Sequence, residues 1–376
     1  MIDGYVSDRR HYSTFSQRLM QALHIDHMLL LGIGLLAVVG LGVLYSAGDQ
    51  SMALINRQLT RLALALVVLL IIAQIPSSTL RFWSPWMYGI GVVLLILVLV
   101  MGDVGKGAQR WLDLGFVRFQ PSEMMKLVTP MMVAWYFAEK PLPPSLRTLL
   151  VAAVLILVPT FLIAKQPDLG TALLIFAAGF FVIFLGGMSW RLMLALGVVG
   201  ASMLPVLWHF MHDYQRTRVL TLLDPQRDPL GAGYHIIQSQ IAIGSGGIYG
   251  RGWLNGSQSH LNFLPEQSTD FIFAVFAEEF GLLGGILLLV LYGFIIIRGL
   301  VISVQGQDTY ARLLGGSLSL TFFVYLFVNV GMVSGILPVV GVPLPLISYG
   351  GTSMVTLMAG FGMLMSINSH RRLWSK

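Results

Sequence analysis

MLLLGIGLLAVVGLGVLYS, residues Met28–Ser46, is a run of 19 residues without a charged side chain. About 20 such residues cross a hydrocarbon core of about 30 Å as a helix, which satisfies its own backbone hydrogen bonds on the way. Nine further apolar runs follow: Leu59–Ile75, Trp83–Met101, Glu123–Phe137, Leu149–Ala164, Thr171–Met188, Leu192–Met211, Phe271–Ile297, Leu313–Ile336 and Ser348–Ile367. Hydrophobic residues make up 56% of the 376-residue chain and charged residues 11%, with a mean hydropathy of +0.78. A soluble domain of this length needs a far more charged surface. The reading is an all-α integral membrane protein of about ten transmembrane helices, with one large polar loop between helices 7 and 8. It forms a single polytopic domain, with helices 1–7 in 27–211, the loop in 212–269 and helices 8–10 in 270–368.

The first run is too long for a signal-peptide core and is expected to persist as an uncleaved helix. Before it, Thr14 and Gln17 have capping-box spacing and Phe15, Leu19 and Leu23 recur every four residues, which predicts a short helix lying on the membrane surface. An even number of spans puts both termini on one side. Twelve Lys and Arg, from Arg9 and Arg10 to Arg371, Arg372 and Lys376, fall on that side, against seven on the other: Arg57, Arg61, Lys106, Arg110, Arg118, Lys126 and Lys165. By the positive-inside rule the termini are cytoplasmic and the long loop faces outward.

The sequence pI near 9.6 comes from basic residues scattered over both sides rather than clustered with aromatics, so a lipid-linked phosphate suits the chain better than nucleic acid. With no cysteine, thiolate nucleophiles, disulfides and Cys-based metal sites are excluded. The two halves show no repeat of the kind many transporters carry.

Ionisable groups at membrane depth are costly unless paired, so polar residues in the outward segments mark the places to look for function. Pro121 suits a helix start, and Glu123 and Lys126 share one face of that helix, as a local ion pair or as a polar cavity wall. Asp168 sits in a Pro167–Gly170 turn, as a solvated loop carboxylate or as a group facing the same cavity. Arg216 and Arg218 point the same way if their segment is extended and diverge if it is helical; extended, they form a guanidinium pair suited to phosphate oxygens. The glycines from Gly244 to Gly252 could bring backbone amides to an anion, but they lack the Lys-Ser/Thr ending of a nucleotide loop. His235 and His260 have no partners at metal-ligand spacing and read as loop histidines.

Asp270 stands where the polar loop turns into the eighth span, after Ser268 and Thr269, either of which could cap that helix. Asp270 itself is either a cap or a carboxylate tuned by the helix dipole and partial desolvation. Glu278 and Glu279 lie roughly 12–14 Å deeper on a regular helix and must be paired, protonated or hydrated, with a structural role favoured. The segment Gly335–Ser353, rich in Pro and Gly, must be covered by protein or line a cavity, and is expected to form a cavity wall.

These segments, KGAQRWLDLG (106–115), FQPSE (119–123), QPDLGTA (166–172), DPLGAGYHIIQSQIAIGSGG (228–247), FLPEQSTDFIFAV (263–275) with AEE (277–279), and NVGMVSGILPVVGVPLPLISYGG (329–351), resemble the SEDS family of peptidoglycan polymerases in identity and order. GRGW (251–253 with Gly250) and PVVGVPLPLISYGG look like its elongation branch, the RodA-like members. The resemblance implies a bacterial inner-membrane glycosyltransferase that polymerises lipid II on the outer leaflet, beside a class B penicillin-binding protein and the elongation machinery. It also implies that the family's essential carboxylate is Asp270, and that Glu123 and Lys126 are residues the family relies on.

Forming a β-1,4 bond from an α-linked lipid diphosphate inverts the anomeric centre, so one base takes the proton of the acceptor hydroxyl, and Asp270 is the candidate. A diphosphate leaves unprotonated where cations hold its charge; Arg216 and Arg218 are the candidates, with Glu123, Lys126 and Asp168 as further substrate-binding positions. The chemistry admits a divalent cation, magnesium or manganese, held by the substrate diphosphate and one carboxylate, since no ligand cluster stands in the sequence. A lipid II transporter and a non-catalytic scaffold for a penicillin-binding protein are the alternatives.

Overall fold

The computed structural model describes residues 25–105, 108–113, 118–211, 213–227, 232–256 and 266–369. The amino-terminal surface helix, Lys106, His260 and the basic residues from Arg371 onward lie outside them. Every predicted apolar run coincides with a helix: α1 (His27–Ala47), α2 (Met52–Ala73), α3 (Ser77–Met101), α4 (Pro121–Ala138), α5 (Leu146–Lys165), α6 (Leu169–Leu185), α7 (Trp190–Phe210), α10 (Ile272–Val304), α11 (Thr309–Val333) and α12 (Thr352–Ser369). Six of these, α1, α2, α3, α5, α10 and α11, are long and apolar enough to cross a membrane by length and composition. Between α7 and α10 the described residues of the polar stretch form two more α-helices, α8 (Asp213–Leu223) and α9 (Ala232–Gly246), where the sequence reading had a loop. Between α3 and α4 three short antiparallel strands pair in the order β1 (Asp103–Gly105), β2 (Ala108–Asp113), β3 (Arg118–Phe119).

Burial sorts the helices. The most apolar stretch of α11 is 72% buried, that of α2 only 17%, so α11 is the central post and α2 turns most of its apolar surface to lipid. Around α11 pack α10, α6 and α4, while α2 lies along α12 and α3 along α4.

The longest helix, α10, is broken at Gly281, whose φ of 63° and ψ of −162° suit glycine alone. A break in a membrane helix orphans backbone groups, and the Gly-rich segment after α9 supplies their partners. Arg251 and Gly252 amides donate to the carbonyls of Glu278 (3.0 Å) and Glu279 (2.9 Å), and the Leu282 and Leu283 amides donate to Gly247 (3.0 Å) and Ile248 (3.1 Å). The approach is so close that a Cβ on Gly250 would sit 2.1 Å from the Glu279 carbonyl oxygen. The glycines that sequence suggested for a bound anion therefore knit this break. Glu278 and Glu279, for which sequence left pairing, protonation or hydration open, are both buried and meet donors: Ser46 and the Leu254 amide (3.2 Å) donate to Glu279, and Ser245 (3.4 Å) to Glu278.

At the end of the bundle away from that loop segment, Asp26 joins three helices. Its carboxylate caps α1 through the Leu29 amide (2.8 Å), takes two hydrogen bonds from Arg298 of α10 (3.1 and 2.5 Å) and one from Asn368 of α12 (2.8 Å). Burial opposes its ionisation, but the Arg298 and Leu29 hydrogen bonds prevail and hold the carboxyl below its ordinary 3.8. A lowered pKa adds stability that is fully present above the unfolded value and fades as pH falls through the folded one. Asp26→Asn is therefore expected to lower the thermal unfolding midpoint at neutral pH, and the gap from wild type to close as pH drops below about 4. A gap independent of pH would show that the clamp's charge is idle.

Candidate active site

Asp270 is the last residue but one of a turn, 266–271, that enters α10. The cap position falls to Phe271, which offers no capping side chain, and Thr269 turns its hydroxyl back to Glu266 (2.7 Å to Oε2), so neither predicted cap residue serves α10. What fixes the turn is a set of three consecutive carbonyls. Ser268 accepts from the Tyr349 amide (2.8 Å), Thr269 from the Ser348 hydroxyl (2.6 Å), and Asp270 from the Asn329 side-chain amide (2.9 Å). The same Asn329 nitrogen donates to Val342 (2.8 Å), and the Leu344 amide donates to Ser348 (2.8 Å). Asn329 and Ser348 are buried, so each bond is made away from water, where leaving it unmade is expensive. The segment 342–349 is further pinned by Tyr292, whose hydroxyl donates to Pro345 (2.6 Å).

Gly341, with φ of +73°, passes beside the carboxylate: a Cβ there would lie 3.5 Å from Asp270 Oδ2. The backbone of Asp270 is thus clamped from α11 and from the Pro/Gly segment, while its half-buried carboxylate lies beside Gly341. His235, read from sequence as a loop histidine, stands on α9 with its ring stacked 5.6 Å from that of Phe271.

Asp168 lies at the start of α6, two residues before Gly170, which packs on the same segment. It is buried rather than solvated: it caps α6 through the Thr171 amide (3.3 Å), accepts from Gln120 (3.4 Å) and pairs with Arg110 Nε at 3.7 Å. Arg110 also donates to the Pro167 carbonyl (2.5 Å), so β2, the start of α4 and the start of α6 meet at this carboxylate. Gly170, two residues on, packs so that a Cβ would lie 2.7 Å from the Val340 carbonyl, next to Gly341. The 340–342 stretch thus passes close both to the turn that Asp168 begins and to Asp270.

The Lys126 ammonium is 2.6 Å from Glu123 Oε1 and lies over the Tyr325 ring of α11 at 5.3 Å. Lys126 and Glu123 are 5% and 8% exposed, and Lys126, Thr321, Tyr325 and Thr356 line a void of about 30 Å³, room for roughly one water. This buried pair, beside a partly open pocket, joins α4 to α11 inside the bundle.

Residues 20–373 match the family of cell cycle proteins defined by FtsW, RodA and SpoVE. The chain belongs to the FtsW/RodA/SpoVE family. It is 54% identical over 355 residues to the peptidoglycan glycosyltransferase MrdB of Escherichia coli K12, covering 94% of this chain and 96% of that one. The peptidoglycan glycosyltransferase RodA of Treponema pallidum is 33% identical, over 92% of this chain and 98% of its own. Among solved structures, a chain of a peptidoglycan synthase complex that coordinates polymerization and crosslinking superposes with a TM-score of 0.81 at 31% identity, over 93% of this chain and 98% of that one. The rod shape determining protein RodA of Thermus thermophilus gives 0.70 at 28% identity, over 92% and 97%.

In this member of the FtsW/RodA/SpoVE family, the arginine pair read from sequence has a different geometry. Arg216 and Arg218 lie on helix α8, where residues two apart point to opposite sides, and Arg216 donates to the carbonyls of Trp208 (3.1 Å) and His209 (2.7 Å) in the last turn of α7. Arg216 thus closes the end of a helix that has no further turn to bond to. The pattern that would have revealed Asn329 is a carboxamide inside the apolar run of α11, since such a group demands partners. Arg110, Gln120 and the two α2 residues that reach the Ser348–Tyr349 corner, Gln58 and Arg61, were likewise passed over. Among the described residues no cluster of three or more His, Asp and Glu suited to a metal occurs.

Proposed function

We infer that this chain is a peptidoglycan glycosyltransferase that polymerises lipid II into glycan strands for cell elongation and rod shape, with Asp270 as its base. The observation that carries the reading is the three-carbonyl clamp on residues 268–270: a carboxylate whose backbone is immobilised from two other elements is pre-positioned for proton transfer. Strand building needs little else from side chains. The 4-hydroxyl of the acceptor GlcNAc loses its proton to Asp270 as its oxygen bonds to the donor's anomeric carbon. The C1–O bond to the diphosphate breaks on the opposite face, and undecaprenyl diphosphate departs with the electron pair. The product is β-linked and the configuration inverted. Protein cations balance the leaving charge, and any magnesium or manganese rides on the substrate diphosphate.

The buried Asp168 and the Glu123–Lys126 pair act behind this centre. Asp168 ties the starts of α4 and α6 together, and the ion pair holds α4 on α11. The protein sits in the bacterial inner membrane with cytoplasmic termini and its site on the periplasmic face, beside a class B penicillin-binding protein that cross-links the strands. Its relatives' names and its likeness to a chain of a peptidoglycan synthase complex support this reading.

The test is purified protein with its penicillin-binding partner in vesicles, given labelled lipid II, with transpeptidation blocked by a β-lactam. Glycan strands are expected. Lipid II crossing the bilayer without strand formation would favour a transporter instead.

A further inference from the structure

Arg61 stands ten residues into α2, well inside a helix long and apolar enough to span a membrane, and among the described residues no carboxylate pairs with it. An unpaired guanidinium at such depth persists where it lines a wet cavity or meets a ligand. Its guanidinium lies over the Tyr349 ring, 4.3 Å from the centroid, an interaction that orients the charge without cancelling it. Gly351 brings backbone close to the guanidinium: a Cβ there would be 3.5 Å from Arg61 Nε. Arg57, one turn toward Met52 on the same face, is exposed and equally without a carboxylate.

Arg61 is tied to the Asp270 corner through backbone. Tyr349, on which it stacks, donates its amide to Ser268, two residues before Asp270, and Gln58 of the same helix donates to the Ser348 carbonyl (3.3 Å). Gln58 is 3% exposed, and its Oε1 has no hydrogen-bond partner among the described residues, an acceptor that a hydroxyl or water would satisfy. One helix face thus offers two guanidinium groups without a carboxylate partner among the described residues and a buried unmet acceptor, at the Ser348–Tyr349 corner that holds the turn before Asp270.

We propose that Arg61, assisted by Arg57, binds the diphosphate of a lipid-linked substrate and stabilises it as it leaves. Planar guanidinium forks match the oxygens of a diphosphate, and a helix in the membrane holds them at the depth where a lipid-anchored anion lies. This rests on the polymerase reading for the substrate and differs from it in what can be measured without turnover.

The experiment titrates detergent-solubilised wild type, Arg61→Ala, Arg61→Lys and Arg57→Ala with geranylgeranyl diphosphate, its uncharged alcohol, and phosphatidylglycerol. Wild type should prefer the diphosphate over the alcohol at least tenfold, Arg61→Ala should lose that preference, Arg61→Lys should keep part of it, and Arg57→Ala should lose less than Arg61→Ala. Unfolding midpoints report folding; were Arg61→Ala unfolded, the Lys variant and Arg57→Ala carry the comparison. Equal diphosphate affinity in wild type and in the folded Arg61 variants overturns the proposal. So does equal displacement by phosphatidylglycerol, which would make this a bilayer headgroup site. Parallel lipid II assays separate the two claims: Arg61-dependent diphosphate binding without strands from wild type would keep this site and remove the polymerase.

Discussion

Asp270→Asn is expected to slow glycan polymerisation by about 10²–10⁴-fold, the range a positioned general base contributes, with the loss in kcat rather than KM. The substitution keeps the side chain's size and removes its basicity. Folding should survive, because the turn is held through the carbonyl oxygens of Ser268, Thr269 and Asp270, which the variant retains. Binding to the cross-linking partner should survive for the same reason, which separates a lost base from a lost scaffold. Asp270→Glu keeps the carboxylate but lengthens its stem beside Gly341, so it should recover part of the rate at most. Steady-state rates with matched unfolding midpoints check both. A variant that polymerises normally would move the base elsewhere.

The second large effect lies in the interior. Lys126→Met strands the Glu123 carboxylate within the bundle, and breaking a buried pair from one side costs about 3–5 kcal/mol. Removing both charges should be far milder, since apolar or neutral groups of similar volume replace buried pairs with little loss. In a double-mutant cycle of Glu123→Gln and Lys126→Met, the double variant should therefore be more stable than Lys126→Met alone. Chemical unfolding in mixed micelles reads this directly. Strict additivity of the two single changes would mean that the pair is hydrated and that its burial matters little.

How much was legible follows from where each signal resides. Apolar length is a local property, so all ten runs emerged as helices, although the ends moved: α2 begins at Met52 rather than Leu59 because the helix continues through Arg57 and Arg61. Those arginines looked like the boundary of a span and are instead set inside one, which concealed their meaning. The α8 and α9 helices carry no strong apolar period, and the expectation for Arg216 and Arg218 depended on an extended chain that α8 replaces. Gly281 gave no warning either, since glycine is common in membrane helices and its partners come from 247–252, some thirty residues away. Asp270 stood out as a candidate because a carboxylate at the edge of an apolar run is conspicuous, while its expected role as base came from the family resemblance. The group that holds it, Asn329, acts across 59 residues of sequence, and no local pattern records such a pairing.

The most direct measurement is the electrophoretic pattern of glycan made from labelled lipid II by wild type and by Asp270→Asn, each with its penicillin-binding partner and a β-lactam present. The account predicts a ladder of strands from wild type and residual lipid II alone from the variant, with both proteins equally folded. Ladders of equal intensity would contradict it.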